Sequence, residues 1–340
     1  MTAGAGVPAS ADFRTSLRSR AAARVRHIVF PESNDPRVHR AVAELSRERF
    51  VVPVLIGDAR TLNEALSVAC ADLSAVKIMD PDANDLRAST LAHVQRRRAG
   101  RGDRESALNT MADDPLMQAA SLVATGVVDG AVSGCVRTTA EVVRAGLICI
   151  GLAEGVSTLS SAFYMVFGHE HHAGPSVLTF TDAGVVPDPD AARLSDIAVS
   201  AASARSKIVG DEPRVAFLSY STHGSAEGDA VVKVREALTL FRQRMPNVLA
   251  DGELQGDAAL SASVSERKAP NSPLRGRANV LVFPDLGAAN IAYKFVQYLG
   301  GAEALGPILQ GLARPFNDLS RAAAAEDIVQ VACITALMCE

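Results

Sequence analysis

Short continuous apolar runs alternate with helix-like stretches along this chain, and that alternation most restricts what it can fold into. His27-Ile-Val-Phe-Pro-Glu32 is a β-rich run stopped at Pro31, and Pro36 to Glu48 reads as a helix. Phe50-Val-Val-Pro-Val-Leu-Ile56 is a second strand, closed by Gly57, and Ala75-Val-Lys-Ile-Met79 a third. Pro115 to Ala124 reads as a helix, and Asp129-Gly-Ala-Val-Ser133 as a strand that enters a loop. Strands follow at Ser157–Phe167, Val177–Thr181, Arg214–Ser219 and Val280–Phe283, separated by helices at Ala191–Ala204 and Asp229–Arg244. Glu266 to Arg277, with Pro270, Pro273 and Gly276, reads as a loop. Strands without polar alternation are buried on both faces, so the expected class is α/β, with mainly parallel sheets and helices on both faces. A chain of 340 residues is long enough for two such domains.

Composition removes several functions. Hydrophobic residues make up 48% and charged residues 21%, which is globular rather than disordered. The net charge of −4, 4% aromatics and absence of Trp argue against nucleic-acid binding. Five cysteines without C-x-x-C spacing suggest buried thiols in a reducing compartment, and the cytoplasm is the expectation. The longest apolar stretch, Ala145 to Gly168, is broken by Glu154 and rich in small residues, so it is a poor membrane span. The first 26 residues carry five arginines and one acid. They have the composition of a transit peptide, but a tail leading into an amphipathic helix is the simpler reading.

Three stretches could carry chemistry. The loop Val132-Ser-Gly-Cys-Val-Arg-Thr-Thr-Ala140 follows a strand, where open α/β sheets bind ligands. Thr138, Thr139 and Arg144 could hold an anion there; an N-cap followed by a surface arginine is the alternative. The run from Arg96 to Arg104 is either a solvated face or a source of one or two guanidinium groups that grip a phosphate. In Asn317-Asp-Leu-Ser-Arg-Ala-Ala-Ala-Ala-Glu-Asp-Ile328, Ser320 and Asp327 are seven apart and would share a face of a continuous helix. They could orient and deprotonate a nucleophile while Arg321 neutralises developing negative charge; a capped Ala-rich helix is the alternative. His169-Glu-His-His172 lacks zinc-ligand spacing and reads as a surface loop, and neither G-x-G-x-x-G nor a P-loop occurs.

Taken together, His27-Ile-Val-Phe-Pro-Glu-Ser33, Asp129 to Gly134 with Thr138-Thr-Ala140, and Leu218-Ser-Tyr-Ser-Thr-His-Gly-Ser225 resemble the phosphate acetyltransferase family. So do Asp251-Gly-Glu-Leu-Gln255, Lys268-Ala-Pro270, Ala278 to Leu286, Asn290-Ile-Ala-Tyr-Lys294, Gly306 to Gly311 and Asn317-Asp-Leu-Ser-Arg321. The resemblance implies reversible acetyl transfer between CoA and phosphate, without metal or redox cofactor in the chemical step. It implies two α/β domains similar to the isocitrate and isopropylmalate dehydrogenases: residues 1–154 with 307–340, and residues 155–306, the second making a homodimer. It also implies roles: Asp327 as base for the CoA thiol, Ser320 holding that thiol, and Arg321 stabilising the transition state. Arg98, Thr138, Thr139, Arg144, Lys294 and Asn317 would bind phosphate or CoA.

Three alternatives accompany this resemblance. The chain could act on propionyl or butyryl groups, or be an acetyl-CoA-sensing module of the kind fused to malic enzymes. A metal-dependent decarboxylating dehydrogenase lacks an acidic metal cluster. The sequence departs from the family at Arg137, Ala145 and His223, and most clearly at Arg321-Ala-Ala-Ala-Ala325, where a helix-capping Ser is missing at Ala324. Without that cap the segment is expected to be straighter and helical.

Overall fold

The computed structural model describes residues 10–81, 85–168 and 176–339. His169 to His172 lies outside the described residues. The chain forms two compact units: residues 16–154 with 312 onward, and residues 155–311 together with the described residues before Ser16. The second boundary therefore falls at Leu312 rather than at 307, because a long strand, Glu303–Gln310, completes the second unit's sheet.

Elements are numbered along the chain. The first unit holds a five-stranded sheet of order β11-β4-β1-β2-β3: β1 His27–Phe30, β2 Val52–Ile56, β3 Lys77–Met79, β4 Gly130–Val132 and β11 Phe316–Asn317. Every pairing in it is parallel. Its helices are α1 Ser10–Ala23, whose start falls before Ser16, α2 Pro36–Glu48, α3 Ala59–Val68, α4 Leu86–Arg98, α5 Glu105–Asp113, α6 Pro115–Thr125, α7 Thr139–Ala145 and α13 Ala325–Met338. The starts of α2 and α6 share one chemistry: Asp35 and Asp114 accept from the N–H two residues on, at 2.8 and 3.0 Å, and Pro36 and Pro115 occupy the first helical position. Helix α13 is buried on nearly every side and packs on α2, β1, β4 and β11. In the N-terminal basic stretch, Arg18 pairs with Glu44 and Glu326 at 3.0 and 2.7 Å.

The second unit holds a six-stranded sheet of order β10-β5-β6-β9-β7-β8: β5 Ser160–Val166, β6 Val177–Thr181, β7 Arg214–Leu218, β8 Leu249–Leu254, β9 Val280–Val282 and β10 Glu303–Gln310. β10–β5 and β5–β6 are antiparallel and the rest parallel. Its helices are α8 Ala191–Ile208, α9 Asp229–Arg244, α10 Gly256–Leu260, α11 Ala262–Lys268 and α12 Leu286–Tyr298. The segment read as a loop from Glu266 is helical to Lys268 and irregular after it. Two clusters line the faces of this sheet, one around Phe180, Leu281 and Phe283, the other around Phe217, Phe241 and Val280. No described helix is long and apolar enough to cross a membrane.

Candidate active site

The carboxyl ends of β1, β4 and β11 bring three loops of the first unit together. The loop after β4 is the one expected to bind an anion, and the structure places an internal anion in it. Gly134 has φ +107°, a conformation that glycine tolerates at little cost. From there four successive backbone N–H groups turn toward the carboxylate of Glu32, just past β1. Gly134 and Cys135 donate to Oε2 at 2.9 Å each, and Val136 and Arg137 to Oε1 at 3.0 and 2.7 Å. Cys135 Sγ adds a fifth donor at 2.9 Å. The backbone nest is therefore filled by the chain's own carboxylate, and its N–H groups are already engaged.

Arg37, in the first turn of α2, ties this loop to the C-terminal segment. Its guanidinium holds Asp35 in a forked pair at 3.0 and 2.8 Å and donates to the carbonyls of Cys135 at 2.7 Å, Arg321 at 2.7 Å and Ala323 at 3.1 Å. Arg137 performs a similar task one loop away, pairing with Asp114 at the start of α6 and Glu141 in α7 at 2.7 and 2.9 Å. A cavity of about 400 Å³ opens at this end of the sheet, walled by Pro31, Pro36, Pro115, Leu116 and Val136, with Glu32, Asp35 and Arg137 on its rim.

The residues expected at the site fall into three groups. Ser320, Arg321 and Asp327 are presented together, but not on one helix face. Ser320 and Arg321 lie in an exposed turn, where Ala322 N–H donates to Ser320 Oγ at 3.2 Å and Ala323 N–H to its carbonyl at 2.9 Å. α13 begins only at Ala325. The expected straight helix does not form, because Asp327 reaches back to accept from Ala324 N–H at 2.8 Å. That bond is one half of a capping box, and it fixes the helix start without the missing Ser. Arg144, in the last turn of α7, and Arg321 are both exposed, and their guanidiniums make no hydrogen bond or ion pair among the described residues.

A second group is engaged within the protein. Thr138 caps α7 in a full capping box with Glu141, whose carboxyl drops to about 2 through the Thr138 N–H, the Thr138 hydroxyl and Arg137. Thr139 Oγ1 donates to Asp318 Oδ2 at 2.5 Å. Arg98 holds Asp103 in a forked pair at 2.7 Å on both bonds, and the neighbouring Arg97 donates to the carbonyl of Ile148. Asn317, expected to bind a ligand, is fully buried in β11, and its amide donates to Thr335 of α13 at 2.8 Å, so it joins sheet to helix. Lys294 forms the third group alone: it lies on α12 in the second unit, with Nζ 4.9 Å from the Tyr293 ring centre.

Sequence reasoning gave no individual role to Glu32, Arg37, Asp103 or Asp318. For Glu32 a signal existed, a carboxylate just after a strand-ending proline in a chain that also carries a Ser-Gly-Cys turn. Among the described residues no three His, Cys, Asp or Glu side chains are grouped to hold a metal. The thiols of Cys149 and Cys333 are pushed up to about 12 by burial, and burial likewise raises Cys135, so none is a ready nucleophile.

Residues 12–336 match the family model described as phosphate acetyl/butaryl transferase. The chain is 44% identical over 317 residues to a phosphate acetyltransferase of Paracoccus denitrificans, covering 92% of this chain and 94% of that protein. It is 40% identical over 328 residues to one of Acetivibrio thermocellus, at 96% and 98% coverage. Among solved structures, a phosphotransacetylase from Staphylococcus aureus superposes with a TM-score of 0.89 at 36% identity, covering 98% of this chain and all of that one. A branched-chain phosphotransacylase from Enterococcus faecalis, at 18% identity and a TM-score of 0.66 over 92% of this chain and 99% of that one, shares the fold.

Proposed function

The chain belongs to the phosphate acetyl/butaryl transferase family, and on that premise we propose that it moves an acetyl group reversibly between CoA and inorganic phosphate. The observation that carries this reading is the two unengaged guanidiniums, Arg144 and Arg321, the latter next to Ser320, on segments cross-tied by Arg37 and by Thr139–Asp318. Two exposed, permanently charged groups on braced segments suit a phosphoryl ligand.

In the direction that makes the thioester, the CoA sulfur attacks the carbonyl carbon of acetyl phosphate. The S–C bond forms, the C–O bond to phosphate breaks, and inorganic phosphate leaves with the bonding pair. A free thiol near pKa ~8.5 is mostly protonated at neutral pH, so its proton must go to a base. Asp327 takes that role: its Oδ2 is held by Ala324 N–H and its other oxygen remains to accept the proton. Ser320 Oγ receives an N–H from Ala322, which leaves its own hydrogen free to donate to the thiolate. Arg321 and Arg144 stabilise the oxyanion and the leaving phosphate. Direct transfer with both substrates bound needs no acyl-enzyme, which agrees with the buried, unactivated cysteines.

The second unit supplies the self-association surface. Ile291, Phe295 and Tyr298 of α12 and its C-cap Leu299 are 57–82% exposed and spaced four, three and one apart, so they form an apolar stripe suited to a second copy of the chain. Free thiols fit action in the cytoplasm. Mixing the protein with acetyl phosphate and CoA and following thioester absorbance tests the activity. Turnover that is lost in Arg321→Ala is expected; tight acetyl-CoA binding with no turnover would overturn the catalytic reading in favour of a sensing module.

A further inference from the structure

Asp318 is a fully buried carboxyl with an incomplete set of partners. Oδ2 accepts from Thr139 Oγ1 at 2.5 Å, and the backbone N–H of Leu319 also favours the charged form, yet Oδ1 has no hydrogen-bond partner. The chain is built tightly around that oxygen: a Cβ on Gly134 would lie 2.1 Å from it. Asparagine would fill the same space and accept the same Thr139 bond without burying a charge. A carboxyl kept at such a position, against the cost of desolvation, is characteristic of a functional constraint.

We propose that Asp318 is a positioning residue for acyl transfer: its ionised carboxylate locks the start of α7, which carries Arg144, to the turn that carries Ser320 and Arg321. This inference rests on the acyl-transfer reading above. Thr139 is the first residue of α7 and Ser320 stands two residues beyond Asp318, so one short bond joins the two segments that present the unengaged cations. Protonation replaces a charge-assisted bond with a neutral one and puts a hydrogen on a carboxyl whose second oxygen has no hydrogen-bond partner, which loosens the lock.

Burial raises the carboxyl to about 6. Thr139 and the Leu319 N–H oppose that rise, and the charge of Glu32, itself held in the nest beyond Gly134, adds to it. Of the other ionisable groups at this end of the unit, Cys135 directs its proton at Glu32, and Arg37 and Arg137 are paired with Asp35, Asp114 and Glu141.

The test is a set of pH–rate profiles at saturating substrates for the wild type, Asp318→Asn, Thr139→Val and Thr139→Ser. The wild type is expected to gain kcat as pH rises through about 6. Asp318→Asn should lack that limb and show a kcat several-fold lower at pH 8 with KM little changed. Thr139→Val removes the donor that favours the charged form, so its limb should move to higher pH, and Thr139→Ser should restore it. Protonation of the substrates is common to all four proteins and shifts none of these differences. A limb that stays in place in Asp318→Asn, or in Thr139→Val should the first variant fail to fold, overturns the proposal and leaves acyl transfer intact. Urea stability from pH 4 to 7 reads the same carboxyl without turnover. With its folded pKa above the unfolded one, the wild type should lose stability relative to Asp318→Asn as pH rises through about 6. Absence of wild-type turnover with that stability signature present would sink the functional reading alone; parallel stability curves would remove the titrating carboxyl itself.

Discussion

Replacing Glu32 with Ala empties the nest after β4, and the structure sets the size of the effect. Five donors converge on that carboxylate, the N–H groups of Gly134, Cys135, Val136 and Arg137 and the thiol of Cys135. Val136 is exposed and Arg137 half-buried, so water takes over as acceptor for those two. Gly134 and Cys135 are buried, and their N–H groups are left stranded. At about 1–3 kcal/mol for each buried donor without a partner, the loss is about 4 kcal/mol. For a folding unit the size of residues 16–154 with 312 onward, that is a fall in melting temperature of about 8–16 °C. Thermal or urea unfolding measures it, and a second arm tests the cause: a vacated nest should take up a small anion, so formate or phosphate should stabilise Glu32→Ala more than the wild type. A loss below about 1 kcal/mol, with no anion dependence beyond that of the wild type, would refute the view that this carboxylate organises the loop.

Ala324→Ser would complete the capping box that Asp327 half forms, and should raise stability by about 1 kcal/mol; an unchanged melting temperature would contradict that account of the α13 start. Asp103→Asn releases the Arg98 fork, so the half-saturating phosphate concentration should fall. A rise, or no change, would argue that Arg98 does not meet phosphate. Phe295→Asp with Leu299→Asp places charge on the apolar stripe of α12 and should convert a dimer to monomers in sedimentation velocity; an unaltered sedimentation coefficient would move the interface elsewhere.

What was legible in the sequence was local. Asp35 and Pro36 start α2, and Pro115 starts α6, at the residues that capping chemistry requires, and the uninterrupted Val-Leu-Thr-Phe-Thr of β6 could be little else. β8 and β10 were not legible. Asp251, Gly252 and Glu253 in one, and Gly306 and Pro307 in the other, are poor strand formers that only pairing with β7 and β5 keeps extended. Spacing put Ser320 and Asp327 on one helix, but the helix start was decided by a side chain reaching back three residues. Glu32 and Asp318 could be seen as acids but not as keystones, since the donors they hold come from 102 and 179 positions away.

The discontinuity of the first unit sets an order on its assembly. β11 and α13 follow the entire middle of the chain, so a ribosome completes all of residues 155–311 before the strand that flanks β4, or the turn that Arg37 clasps, exists. Until then the edge of β4 is unpaired and the carbonyls meant for that guanidinium are missing. The nascent protein therefore completes the apolar stripe of α12 well before the turn that carries Ser320 and Arg321 has been made.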